Sequence, residues 1–580
     1  MLLIDSKVKN ILYYLLLILI FLAALFLRIE YVDFDRQILV GDETVYENGA
    51  ENLIKYGMFT FDREGDIRAG EKEPMPSSAL QIGYPVIISI IYLIFGHNEK
   101  YVFVFQCILS IIDIILMYGI MRKCHCKRAW IIAALALTAC YPGFIYNINR
   151  MLTEQVFKTL LLLFTFLICA ALNSDQKLWY YAFSAIVLGA AVFVRGLAFP
   201  YALLIILIIL LYEDSKKIRS ILVFGGCYIL TQLWWWIRNF ISFHRFILLS
   251  DAGEGPKIWG LMPYYLDMAS SEGITVNELA NMNILINKAV YIRWRIFGII
   301  NYLWNDIWDE RLTHPSLRAF LWIHLLLIGM GILLPLLIKR CNGQLLLITS
   351  FPISFTLMNM IYHGLPRYLY PATPFLFISF AILLSDWRVI KKNNNGTIIR
   401  CIIEKSYFYA TILFSVLLFV SVFVFSPFIE KEMSQWRLSK YAETSINEVN
   451  KGECVWSKDY AFDEVIIENS VILEDGVYAS NKKNPNLIKV ECVPINDKVV
   501  TKVNINTGGG YIYDYITVYW KDENMIDMDE NHVYRFPATV FRDSYTVYID
   551  GDVTSLMIVP YVFYGGKFEY QSINVSKFVY

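Results

Sequence analysis

The chain has 580 residues, of which 57% are hydrophobic and 18% charged, with a formal net charge of −1. A soluble domain averages about 45–50% apolar and about 25% charged, and here the excess lies in long runs, so the chain reads as a polytopic membrane protein. No basic face interleaved with aromatics stands on a soluble segment, which excludes nucleic acid as a partner.

Lys7 and Lys9 precede the first apolar run, residues 10–27. It resembles a signal peptide but has no small-x-small cleavage site, so a retained helix is expected. Further spans are expected at 101–121, 129–146, 154–172, 178–194, 197–212, 218–236, 319–338, 344–361, 368–387 and 407–428. That makes about eleven at the length a bilayer requires. Arg122, Lys123, Lys127 and Arg128 share one connection, and Lys216, Lys217 and Arg219 another. Lys339 with Arg340, and Arg388, Lys391, Lys392, Arg400 and Lys405, mark two more on the side of Lys7 and Lys9. The positive-inside rule then puts the N-terminus in the cytoplasm of a plasma-membrane protein and the C-terminus outside. One run, 82–95, is too short to span and is expected to lie along the outer surface.

The first outer loop, 28–100, opens on Gly41-Asp42-Glu43. Asp42 has two readings. It can cap the helix that follows, with Gly57 as its stop. Two adjacent carboxylates beside a membrane helix can also be functional. Thr153-Glu154, Arg195, Arg238-Asn239 and Arg367-Tyr368 fall at helix ends on the same expected face, and Lys72 lies in the first outer loop. Acids and arginines gathered from separate parts of the chain suggest an anion site beside a base. Each arginine alone is equally well ordinary loop charge.

Inside the spans, Asp113 is an intramembrane carboxylate, read as a protonated or hydrogen-bonded packing residue. Cys124-His125-Cys126 reads as reduced thiols rather than a metal site. Residues 429–452 form a polar neck. Residues 453–580 carry short β-branched and aromatic runs bounded by turns such as Asp550-Gly551-Asp552, the pattern of an extracytoplasmic β-sandwich. Cys454 and Cys492 could pair there, and Tyr519 and Trp520 are core residues or a glycan surface.

The succession Gly41-Asp42-Glu43-x-x-Tyr46, Gly83-Tyr84-Pro85, Leu152-Thr153-Glu154, Val194-Arg195-Gly196, Trp236-Ile237-Arg238-Asn239 and Arg367-Tyr368-x-x-Pro371 resembles the GT-C membrane glycosyltransferases. Its nearest likeness is to the protein O-mannosyltransferases and the lipid A aminoarabinose transferase. The resemblance covers about residues 10–428 and not the β-domain. It implies a polyprenyl-phosphate-linked sugar as donor, a glycan, lipid or protein acceptor, and transfer at the outer membrane surface. It makes Asp42 and Glu43 the catalytic acids, with Asp42 as base and Glu43 as alternative. Arg238, Arg367, Arg195 and Lys72 then hold the donor phosphate, and Tyr46, Tyr84, Glu154 and Tyr368 complete the site. A base facing the carrier phosphate across the sugar implies inversion, by analogy with inverting glycosidases. The resemblance fixes no cofactor, and a divalent metal is left open. Two departures, Ile82-Gly83 before Tyr84-Pro85 and Gly196 after Arg195, leave sugar and acceptor undefined. The rival class is a transporter or flippase of a lipid-linked sugar, which would place ionisable residues near the bilayer midplane.

Overall fold

The computed structural model describes residues 6–34, 39, 42–60, 75–174, 177–213, 216–251, 294–304, 342–362, 364–386, 398–421, 449–461, 464–468, 470–474, 477–480, 487–507, 514–523, 525, 528, 532–538, 544–559 and 567–579. The chain falls into two compact units. One comprises Met1–Gly260, Leu303–Ile307 and Trp322–Phe419; the other comprises Leu261–Tyr302, Trp308–Leu321 and Val420–Tyr580.

The first unit is helical. Its elements are α1 (Ser6–Tyr31), α2 (Asp42–Tyr56), α3 (Gly83–Phe95), α4 (Glu99–Lys123), α5 (Arg128–Cys140), α6 (Pro142–Tyr146), α7 (Thr153–Leu172), α8 (Lys177–Val194), α9 (Tyr201–Tyr212), α10 (Lys217–Phe243), α11 (Gly343–Ile361), α12 (Thr373–Asp386) and α13 (Ile398–Phe419). A 3-10 helix, Pro366–Ala372, leads into α12. Among the described residues, seven helices are long and apolar enough to cross a membrane: Asn10–Tyr31, Glu99–Lys123, Thr153–Leu172, Lys177–Val194, Lys217–Phe243, Gly343–Ile361 and Pro366–Ser385.

The segment expected at 129–146 is instead two helices bent by 55°, and Pro142 at the start of α6 supplies the physical cause. Residues 197–212 form a short apolar helix, α13 includes 407–419 of the run expected at 407–428, and 422–428 and 319–338 lie outside the described residues. The bundle is built around α7 and Pro366–Ser385, whose apolar windows are 72% and 78% buried against 17% for α1. Exposed Ile11, Leu15, Ile18 and Leu22 give α1 an outward apolar stripe suited to lipid tails.

The loop between α1 and α4 holds two packed helices. Acids in the first turn of α2 complement its dipole, and Gly57, at a φ of +62°, ends it in a conformation that disfavours other side chains. α3 has 13 residues, too few to span. It buries Tyr84, Ile88, Ile91 and Tyr92 and exposes Ile90, Leu93, Ile94 and Phe95, so it presents apolar side chains on two sides.

In the second unit the strands are β1 (Glu453–Tyr460), β2 (Ile466–Glu468), β3 (Ser470–Glu474), β4 (Val477–Ser480), β5 (Leu487–Glu491), β6 (Val499–Thr507), β7 (Asp514–Asp522), β8 (Val533–Ala538), β9 (Ser544–Asp550), β10 (Val553–Val559) and β11 (Lys567–Val579). One sheet runs β3-β4-β11-β6-β9 with β1 also on β11, and the other runs β2-β5-β10-β7-β8. All described pairings are antiparallel. Val503 and Ile505 of β6, Val547 and Ile549 of β9 and Val575 of β11 share one core with Ile516, Val518, Leu556 and Ile558 of the other sheet. Trp520 packs partly on that core and stacks on Tyr534 with ring centroids 4.7 Å apart. Cys454 is an exposed and Cys492 a buried free thiol. Of the neck, only its end is described.

Candidate active site

Helix ends converge at one end of the bundle. The first turn of α2 brings Asp42, Glu43 and Tyr46; α3 brings Tyr84; α7 brings Glu154; the turn after α8 brings Arg195; and the 3-10 helix before α12 brings Arg367 and Tyr368. Glu154 is at the centre, with a side chain only 2% exposed in the first turn of α7, where the helix dipole favours a negative charge. Its Oε1 lies 3.2 Å from Arg195 Nη1 and 3.6 Å from Arg367 Nε. Arg367 also reaches across to the Asp42 carboxylate through Nη2. The Tyr368 ring lies under both guanidiniums, 4.4 Å from Arg195 and 5.4 Å from Arg367. Two cations thus grip one buried carboxylate, and one of them bridges to an exposed one.

Arg195 Nη1 and Arg367 Nε are buried and make no hydrogen bond of good geometry. Buried donors of this kind are uncommon unless a further partner completes them. Tyr46 and Tyr84 meet edge to face at 5.3 Å. Burial, reinforced by Glu154 and Asp42 against the two arginines, raises the Tyr46 phenol above its usual value, so it stays neutral. Tyr84 is fully buried with its hydroxyl unbonded. The two adjacent acids differ sharply. The Asp42 side chain is 52% exposed, whereas Glu43 is buried and accepts the Met151 N–H at 2.9 Å, tying α2 to the turn before α7.

Arg238 makes a different set of described contacts. Its Nη1 donates to Ser77 O at 2.9 Å and to Asn239 Oδ1 at 2.8 Å, its Nη2 donates to Phe59 O at 3.4 Å, and its guanidinium lies over Trp235 at 5.1 Å. It joins the two flanks of residues 61–74, the segment containing Lys72, which itself lies outside the described residues.

Lys158 and the buried contacts of Arg28 were not singled out from the sequence, whereas Asp113 was. Lys158, one helical turn below Glu154, lies 3.1 Å from Asp113 and donates to the Tyr370 hydroxyl at 2.5 Å. Asp113 also accepts from Thr159 at 2.6 Å and Gln155 at 2.8 Å, so it is a hydrogen-bonded packing residue within an ion pair. Arg28, fully buried, donates to Ser110 Oγ at 2.7 Å and to the carbonyls of Ala24 and Ala139, each at 3.0 Å. The signal for Lys158 was its i, i+4 spacing from Glu154, hidden by the apolar run around it.

Glu47, Glu51 and His97 have donor atoms within 4.8 Å of one another, with His97 Nε2 3.4 Å from Glu47 and 3.1 Å from Glu51, a set that could hold a divalent cation. Carboxylate and imidazole suit such an ion. Burial together with the nearby Glu99 and Glu51 charges raises the Glu47 carboxyl, against Tyr92 and His97, a repulsion a bound cation would relieve. The i, i+4 pair on α2 was visible in the sequence, but His97 was brought to it only by the turn after α3.

Residues 80–236 match the family model described as dolichyl-phosphate-mannose-protein mannosyltransferase. That range contains Tyr84, Glu154 and Arg195 but neither Asp42 nor Arg367. No curated protein matches. Among solved structures, the chain is similar to the apo oligosaccharyltransferase of Archaeoglobus fulgidus at 13% identity and a TM-score of 0.43, covering 72% of this chain and 57% of that one. The same organism's oligosaccharyltransferase AglB, in complex with an inhibitory peptide and a dolichol-phosphate, matches at 13% identity and a TM-score of 0.39, covering 72% and 56%. ArnT from Cupriavidus metallidurans bound to undecaprenyl phosphate matches at 12% identity and a TM-score of 0.35, covering 66% and 61%. The chain thus spans between half and two thirds of the length of these three. Carried by the family match over residues 80–236 and by the ordered motifs on either side, the membrane part of the chain resembles the GT-C membrane glycosyltransferases.

Proposed function

We propose that the protein is a glycosyltransferase that moves a sugar from a polyprenyl-phosphate carrier to a cell-surface acceptor at the outer face of the membrane, with inversion. The carrying observation is the convergence of Asp42, Glu154, Arg195 and Arg367, drawn from four separate helix ends. A lipid-anchored phosphate must approach along the membrane surface, and α3 with its exposed apolar side chains stands beside this site through Tyr84.

The chemistry needs few parts. The acceptor oxygen attacks the anomeric carbon, the bond from that carbon to the phosphate oxygen breaks, and polyprenyl phosphate leaves with the electron pair. The departing phosphate is already a good leaving group, so stabilising its charge matters more than protonating it. Arginine forks suit that role, and Arg195 and Arg367 supply them. Phosphate binding competes with Asp42 for Arg367, which frees the Asp42 carboxylate to take the acceptor proton. Glu154 keeps both guanidiniums in place. A cation on Glu47, Glu51 and His97 would hold the end of α3 to α2; no step is assigned to it.

Purified protein given a radiolabelled polyprenyl-phosphate sugar and a cell-envelope extract should form a labelled product with the opposite anomeric configuration. Movement of the intact lipid-linked sugar across vesicles without product would instead establish the transporter.

A further inference from the structure

The buried polar residues beneath the site have a regular arrangement. Glu154 and Lys158 are one turn apart on α7, on one face. Arg367 and Tyr370 are three apart in the 3-10 helix Pro366–Ala372, whose three-residue turn eclipses their side chains. The two faces meet as a ladder. In the upper rung, Arg367 lies beside Glu154 at 3.6 Å. In the lower rung, Lys158 donates to the Tyr370 hydroxyl at 2.5 Å. That hydroxyl in turn donates to Gln155 Oε1 at 2.8 Å, and the Gln155 amide donates to Asp113 at 2.8 Å. Each group in the lower rung therefore has a defined donor or acceptor role. Phe144 and Tyr370 enclose the Lys158 ammonium, 4.4 and 4.3 Å from their ring centres.

Burying a lysine and an aspartate among apolar helices is expensive, and leucine would fill the same space more cheaply. Lys158 contacts Tyr370, the residue one turn below Arg367, directly, and Asp113 reaches it through Lys158 and Gln155. The 3-10 helix leads into α12, but its own hydrogen bonds are poorer than those of an α-helix. Contacts with α7 therefore help to fix its height and rotation and keep the Arg367 fork directed at one place.

We propose that Lys158, Gln155 and Tyr370, anchored by Asp113, are positioning residues that set the register of the 3-10 helix against α7 and so place the Arg367 guanidinium for an anionic lipid phosphate. The inference rests on the functional reading above for the identity of the anion, but the coupling between the two rungs does not.

The test is a double-mutant cycle on the full-length protein in detergent, with a short-chain polyprenyl phosphate as probe. Tyr370→Phe keeps the ring and removes the hydroxyl. It should weaken phosphate binding about tenfold in the wild-type background, since small misplacements of a binding group have large effects. With Arg367→Lys already present, the same change should matter less than about twofold, because coupled groups are non-additive. Equal factors in both backgrounds, or unaltered affinity in folded Tyr370→Phe, overturn the proposal. Gln155→Met, which removes the Tyr370 acceptor, enters the same cycle if Tyr370→Phe does not fold. If the wild-type protein binds no polyprenyl phosphate, the functional reading fails, and the ladder is judged by melting temperature alone. Glu154→Gln and Tyr370→Phe should then lower it by less together than the sum of their separate effects, and simple additivity overturns the coupling.

Discussion

At the scale of single residues, neighbours in sequence part company in role. Asp42 is exposed and Glu43 is buried on the Met151 N–H. Asparagine caps a helix about as well as aspartate but cannot take a proton from a hydroxyl. Asp42→Asn is therefore predicted to fold normally, to keep donor binding and to lose about 10²–10⁴-fold in single-turnover transfer. Glu43→Gln keeps an acceptor oxygen and loses the charge, so it is predicted to lower stability by about 1–3 kcal/mol with a much smaller kinetic effect. A severe loss confined to Glu43→Gln would move the base by one residue. The arginines divide in the same way. Arg367→Ala should weaken donor phosphate binding roughly ten- to a hundredfold, the worth of a charge-assisted hydrogen bond. Arg238 is engaged by the carbonyls of Phe59 and Ser77, so Arg238→Ala should lower the melting temperature and leave that affinity within about threefold. Titration of the labelled carrier phosphate against both variants separates the two roles.

Between elements, close approaches decide what the site looks like. A Cβ built on Gly83 would lie 2.6 Å from the carbonyl carbon and oxygen of Phe193. Gly83 thus lets α3 touch the end of α8 directly, two residues before Arg195. Gly83→Ala is predicted to destabilise by about 1–3 kcal/mol and to lower transfer by shifting Arg195, checked by melting and by turnover of the same preparation. In the sequence this glycine registered only as a departure from a motif, because a backbone contact between residues 110 apart leaves no local pattern. The apolar spans were legible because a bilayer demands length, and β6, β7, β9 and β10 because their runs are β-branched and aromatic and bounded by turns. β3, β4 and β11 were not: β3 and β4 are short, β11 is rich in polar residues, and all three are defined by their partners. The same holds for the pair Asp552–Lys577. Burial would raise the Asp552 carboxyl, but Lys577 and the N–H groups of Asn496 and Ile495 outweigh it and hold it below its ordinary value. A depressed carboxyl contributes stability that is fully present above its unfolded pKa, about 3.9, and lost as pH falls through the folded value. The β-domain is therefore predicted to unfold more readily below about pH 4. Asp552→Asn should remove that pH dependence and lower stability at neutral pH by stranding the buried Lys577, and adding Lys577→Met should restore part of it. Circular dichroism melts of the full chain across pH 2–7 read both effects.

Across the membrane unit as a whole, chain direction sorts charge to two ends. α4 runs away from the active site and α5–α6 return to it; α7 runs away and α8 returns; α9 runs away and α10 returns. The far end is held together by its own contacts. Lys127 N donates to Ser385 Oγ at 2.8 Å, Asn173 donates to Lys123 O at 3.2 Å, Arg128 bonds Asn10, and Lys177 pairs with Glu213. Arg122, Lys123, Lys127 and Arg128 gather there, as do Lys216, Lys217 and Arg219 at the start of α10. Asp42, Glu154, Arg195 and Arg367 gather at the other end. Lysines and arginines in short connections are retained on the cytoplasmic side, so the basic end is predicted to face inward and the site outward. In a background with its native cysteines replaced, single cysteines placed beside Asp62 and Asp550 are predicted to react with an impermeant maleimide added to intact cells. Those beside Lys216 and Lys392 should react only after the membrane is opened. Labelling of intact cells at Lys216 would invert the molecule and put the arginine cluster on the cytoplasmic face, where an outer-surface transferase could not use it. Labelling at Lys392 alone would instead change the number of crossings between α10 and α13 and leave the site where it is.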